Sequence, residues 1–124
     1  MPEYTLTLNS EQAREILKAV ELLMRLKLNQ AFTFNDSVAG WDVEDPKRLR
    51  EATRYVELAL GILFENREAH RWKDAEWYRL YNIYQVIRKA VHDAEHPETE
   101  GVDAYDPIKF TDEPLPKIRW EKHG

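Results

Sequence analysis

Apolar residues recur at three-to-four spacing in three stretches of the chain, and each recurrence predicts an amphipathic helix. In the first, Ala13, Ile16, Leu17, Val20, Leu23 and Met24 share one face. Asn9 stands in the cap position before it, and Gln12 can reach back to the cap amide, the reciprocal pattern of a capping box. Leu22, Leu26 and Leu28 widen the apolar face beyond what a lone surface helix needs, which puts this helix at the centre. The second stretch opens with Asp45 as cap and Pro46 at the first helical position. Its predicted core face is Leu49, Ala52, Val56, Ala59, Leu60, Leu63 and Phe64, with Arg48, Arg50, Glu51, Arg54 and Glu57 covering the other side. The third follows Asp74 and aligns Trp77, Leu80, Tyr81, Tyr84, Ile87 and Val91, flanked by Tyr78, Ile83 and Val86. Pro97 closes it, because a residue before proline is pushed out of helical geometry.

The remaining stretches lack this period. Residues 4–8 read YTLTL, β-branched and aromatic residues bounded by Asn9, and predict a short strand. Residues 29–44 predict a loop that packs Phe32, Phe34, Val38 and Trp41 on the domain. A connection of that length is more often a binding element than an accident. Beyond Glu98, Gly101, Pro107, Pro114 and Pro116 predict an extended tail. Within it, residues 102–105 and 117–120 are candidate strands for pairing with residues 4–8. The predicted fold is mainly α (α+β): three amphipathic helices packed with two or three short strands from the chain ends. Residues 1–124 are read as one domain.

Composition narrows the function classes. With 43% hydrophobic and 33% charged residues, the chain reads as globular with a heavily charged outside. It has no cysteine, which removes disulfides, thiolate metal sites and a cysteine nucleophile, and suits a reducing compartment. No apolar run approaches the ~20 residues that span a bilayer, and the opening residues MPEYTLTLN lack a signal-peptide pattern, so neither membrane insertion nor secretion is expected. Eighteen basic against 23 acidic residues give a net charge of −5, which opposes binding to long nucleic acid.

Motifs for catalysis are weak. His92-Asp93-Ala94-Glu95-His96 matches the H-x-x-E-H pattern of inverted zinc proteases and would put both imidazoles on one helix face. Pro97 ends that helix at once, so the reading is a solvated helix end and no metal site is assigned. The four glycines are scattered, which leaves no phosphate-cradling loop, and no G-x-S-x-G elbow is present. The chain is therefore expected not to be an enzyme and to need no cofactor. Residues 67–92 are different. They interleave Arg67, Arg71, Lys73, Arg79, Arg88 and Lys89 with Trp72, Trp77, Tyr78, Tyr81 and Tyr84. Aromatic faces beside guanidinium groups can stack a base and pair a phosphate. Trp77, Tyr81 and Tyr84 also serve as ordinary core by register, yet leucine would fill that space with no hydroxyl to satisfy.

The order Tyr81-Asn82-Ile83-Tyr84-Gln85-Val86-Ile87-Arg88, Val102-Asp103, Asp106-Pro107 and Glu113-Pro114-Leu115-Pro116-Lys117-Ile118 resembles a family of small proteins encoded by tailed bacteriophages. Leu6-Thr7-Leu8, Glu11-Gln12-Ala13, Ala19-Val20-Glu21-Leu22, Arg25-Leu26 and Gln30 extend the resemblance to the N-terminal half. It covers residues 4–30 and 80–118, and implies a phage origin with the host bacterial cytoplasm as workplace. By analogy with such proteins, the expected function is anti-defence: a binding protein that sequesters a small nucleotide-derived immune signal without turnover. The alternative is an inhibitor that docks on a host or defence protein through an acidic surface. For the first, the expected ligand residues are Arg25 and Gln30 at the exit of the first helix, and Tyr84, Arg88 and His92 in a row on the third. Tyr105 and Asp106 would close over the ligand from the tail. The wide first helix and the aromatic surplus of the third also point to a homo-oligomer, by default a two-fold dimer.

Overall fold

The computed structural model describes residues 2–64, 73–96 and 108–121, and it is mainly helical. Four helices lie in the described residues: α1 (Ser10–Lys27), α2 (Phe32–Val38), α3 (Pro46–Phe64) and α4 (Ala75–Glu95). The first helix starts where the sequence places it. Asn9 Oδ1 accepts the Gln12 amide at 2.8 Å and Gln12 Oε1 accepts the Asn9 amide at 3.0 Å, completing the capping box. It stops at Asn29, whose φ of 58° is left-handed backbone that asparagine tolerates. The Asn29 amide donates to Leu26 O and the Gln30 amide to Arg25 O, the paired closing bonds of a Schellman motif.

The segment expected to be a loop contains α2. Thr33 and Phe34 amides donate to Gln30 and Ala31 carbonyls, so the chain leaves the Schellman turn directly into a new helical turn. Two turns are too few to show a period, which is why the pattern of residues 29–44 hides the helix. Val38 is buried and Phe34 half-buried, but Phe32 and Trp41 point to solvent rather than onto the domain. Asp45 then caps α3 as expected, its carboxylate accepting the Lys47 amide at 2.9 Å.

Packing is organised around α1. One side of α1 runs along α4, and another meets α2, which in turn carries α3. Arg14 pairs with Glu95, and Lys27 with Asp74 and Glu76, so α1 and α4 are antiparallel. Ala31, Leu60 and Phe64 form a small cluster, with Leu26 and Val56 against it. Here α3 is fastened to the rest.

The faces differ from the expected ones. On α4 the deepest positions besides Trp77 are Asn82, Val86 and Ala90, while Leu80, Tyr81, Tyr84, Ile87 and Val91 are half-buried. Asn82, Val86 and Ala90 recur at a spacing of four and so form one buried side of α4, where short side chains let a packed neighbour approach. On α3 only Leu60 and Phe64 are buried; Ala59 and Leu63 are exposed. On α1, Leu23 is exposed and Met24 buried.

The expected strands are not seen among the described residues. Residues 4–8 are not a strand, with Tyr4 and Leu6 exposed, and residues 117–120 are likewise irregular. A lone strand is not stable without a sheet or a helix face to cover it. The third candidate strand, residues 102–105, lies outside the described residues. Residues 108–121 run as an irregular segment, and its Phe110 rests on Tyr78 and Tyr81, with ring centroids 5.8 and 5.5 Å apart. Glu113 accepts from Arg79 Nε at 2.9 Å, which fixes the same segment to α4.

Candidate functional site

A spacing of four, four, three, four and four residues puts Lys73, Trp77, Tyr81, Tyr84, Arg88 and His92 along one stripe of α4 and the turn before it. Side-chain geometry makes the stripe continuous in character. The Lys73 ammonium sits 5.1 Å from the centre of the Trp77 ring. Trp77 stacks on Tyr81 with centroids 5.3 Å apart and planes at 20°. Further along, the Arg88 guanidinium carbon lies 5.8 Å from the Tyr84 ring centre, within cation–π range. His92 follows, its Nδ1 3.5 Å from Asp93 Oδ1, and its ring is 5.3 Å from that of His96. Tyr84, Arg88 and His92 are all half-buried, so charge and aromatic surface are held at a boundary between protein and solvent.

The other expected ligand residues divide into two groups. Arg25 and Gln30 do meet: Arg25 Nη1 donates to Gln30 Oε1 at 3.0 Å. The Schellman turn causes this, since it folds residue 30 back over the last turn of α1. Glu21 stands 3.7 Å from the same guanidinium. Arg25 and Gln30 thus form a local unit at the α1 exit, and Tyr84, Arg88 and His92 a second unit on α4. Tyr105 and Asp106 lie outside the described residues.

Two surface depressions lie elsewhere. One of about 620 Å³ is lined by Leu8, Glu11, Gln12, Arg14, Glu15 and Ile16; the other, about 170 Å³, by Lys18, Glu21, Phe32, Thr33, Asp36 and Ser37. Of the described expected ligand residues, Arg25, Gln30, Tyr84, Arg88 and His92, none lines either. Among the described residues there is no group of three or more histidine and carboxylate side chains placed to hold a metal ion. No described helix is long and apolar enough to cross a membrane.

Electrostatics sharpen at the other end of α4. Partial burial opposes the Lys27 charge, but the hydrogen bond and Coulomb attraction of Asp74, joined by Glu76, outweigh it and raise the ammonium pKa. The Trp77 amide, then Lys27, stabilise the Asp74 carboxylate and hold its pKa below the usual value.

Sequence reasoning passed over Asn82. It is 3% exposed, and its Oδ1 has no hydrogen-bond partner among the described residues; Trp77 Nε1 and Thr33 Oγ1 share that state. A polar residue flanked by tyrosine and isoleucine gives no pattern signal of burial. Only the small residues four and eight positions on, Val86 and Ala90, mark the face it belongs to.

No protein-family model, curated protein or solved structure matches this chain.

Proposed function

We propose that this chain is a small binding protein that captures an anionic, nucleotide-derived ligand by stoichiometry, without turning it over. The observation that carries the proposal is the Arg88 guanidinium against the Tyr84 ring, with His92 next along the same half-buried face. A base can stack on such a ring while the guanidinium and imidazole meet phosphate oxygens. The resemblance to small phage proteins supplies the setting: a signal of bacterial immunity, sequestered in the host cytoplasm. Tyr105 and Asp106 are the pair proposed to close over the ligand, while Arg25 and Gln30 form their own polar unit at the end of α1, beside the start of α4.

Calorimetric titration with cyclic dinucleotides and ADP-ribose-type compounds tests this reading. Wild-type protein should bind at least one of them, and Arg88→Ala should bind it roughly 10- to 100-fold more weakly, the worth of a charge-assisted hydrogen bond. The absence of heat with every such ligand sinks the nucleotide reading.

A second reading has its own observation. The connection after α2 presents Asp42, Glu44 and Asp45 to solvent beside exposed Trp41. An acidic surface with an aromatic anchor suits docking on a basic face of a host or defence protein.

A further inference from the structure

Helix α3 is amphipathic twice over. Leu60, Phe64 and Val56 face the small cluster shared with Ala31 and Leu26. On the side turned away from it, Tyr55, Leu58, Ile62 and Leu63 are 63, 52, 76 and 66% exposed, and Ala59 between them is exposed as well. Scattered surface apolar residues are ordinary, but these recur at i, i+3, i+4, i+7 and i+8 and form one stripe. We propose that this stripe is the interface through which two copies of the chain pair, α3 against α3, about a two-fold axis near Ala59.

Three arguments select a second copy as the occupant. The first is area. The four large side chains expose on the order of 500 Å² per chain, at the upper end of what monomers leave uncovered. Two such stripes together bury roughly 1,000 Å², the lower bound for a specific interface. The second is shape. Tyr55, Ala59 and Leu63 form one ridge of spacing four, and Leu58 and Ile62 form another. Ridges of this spacing pack into each other at about −50°, and a small residue at the crossing lets the axes approach. A two-fold axis at Ala59 sets Tyr55 of each copy against Leu63 of the other, so the patch is complementary to itself. The third is charge. Between Tyr55 and Leu63 the only ionisable side chain besides the tyrosine is Glu57, which lies outside the stripe, so the face asks for an uncharged apolar partner. The chain itself presents one of matching length.

Sedimentation velocity of the full chain from micromolar to hundreds of micromolar tests the pairing. The expected result is a concentration-dependent species of twice the 14.8 kDa chain mass. It should strengthen with added salt, because two chains of charge −5 repel while apolar contact does not weaken. Ile62→Asp and Leu58→Asp should each leave a monomer whose helical circular dichroism matches the wild type, since both side chains are exposed. Ile108→Asp, an exposed apolar residue outside α3, should leave the dimer intact. A wild type that stays monomeric across the range overturns the proposal and leaves the stripe to a different partner. So does a dimer that survives both α3 substitutions, or open-ended assembly in place of a closed pair.

Discussion

Asp74 acts at one residue in two separable ways. Its Oδ1 accepts the Trp77 amide at 2.9 Å and so caps α4, while Oδ2 pairs with the Lys27 ammonium at 3.0 Å. Asparagine keeps the first role and loses the second. Asp74→Asn should therefore cost no more than about 1 kcal/mol at neutral pH, the range of partly exposed ion pairs. Asp74→Ala should cost about 1 kcal/mol beyond that, because the cap is gone too. The pH dependence follows from the direction of the shifts. The Asp74 pKa is depressed on folding, so its contribution is complete above the unfolded value and is lost as pH falls through the folded one. The Lys27 pKa is raised, so its contribution is complete below its unfolded value and is lost only as pH rises through the folded one. Melting curves of wild type and Asp74→Asn should converge as pH falls below about 4. A gap that stays constant into acid would show that the charge of Asp74 does not stabilise the fold.

At the scale of the element, neighbouring residues of α1 have opposite fates. Met24 is 6% exposed and Leu23 is 43% exposed, although both belong to the apolar face that the spacing predicts. Met24→Ala should cost roughly 2–4 kcal/mol through the cavity it leaves. Leu23→Ala should cost well under half of that, and chemical denaturation of the two variants gives the comparison directly. Equal losses would place α1 in a different rotation against α4. The pair also shows what was legible in the sequence. Helix starts were, because Asn9, Asp45 and Asp74 bond to amides two or three residues on, a local geometry that needs no knowledge of neighbours. The facing side of a helix was legible only where one side is apolar. Helix α4 has tyrosines and isoleucines around most of its circumference, so period alone could not tell the buried side of Asn82, Val86 and Ala90 from the side opposite. The latter carries Trp77, Tyr81, Tyr84 and Arg88, and the row Tyr84, Arg88, His92 was legible because spacing on one helix is enough to align it. The meeting of Arg25 and Gln30 depends on a left-handed Asn29, which spacing does not announce.

On the whole molecule, the uneven distribution of packing sets an order of stability. Helices α1 and α4 lie against each other over much of their length, are tied by ion pairs at both ends, and carry residues 108–121 on α4. Among the described residues, helix α3 is held chiefly through α2 and the cluster of Leu60 and Phe64, and a Cβ placed on its Gly61 would meet none of their atoms within 4 Å. Gly61 falls in the last turn of α3, where the backbone freedom of glycine weakens the end of the helix. Local opening should therefore release α3 before α1 and α4 separate. Native-state hydrogen exchange should show amides near Asn82, Val86 and Ala90 exchanging at the rate of global unfolding, with those around Leu58 and Ile62 much faster in dilute protein. Pairing of α3 with a second copy would slow only the second group as concentration rises, because mass action stabilises whatever the partner holds. Slow exchange of α3 in dilute protein, matching α4, would mean that the chain unfolds as a single unit and that this ordering is wrong. Protection that rises with concentration in α4 but not in α3 would move the interface to the aromatic face instead.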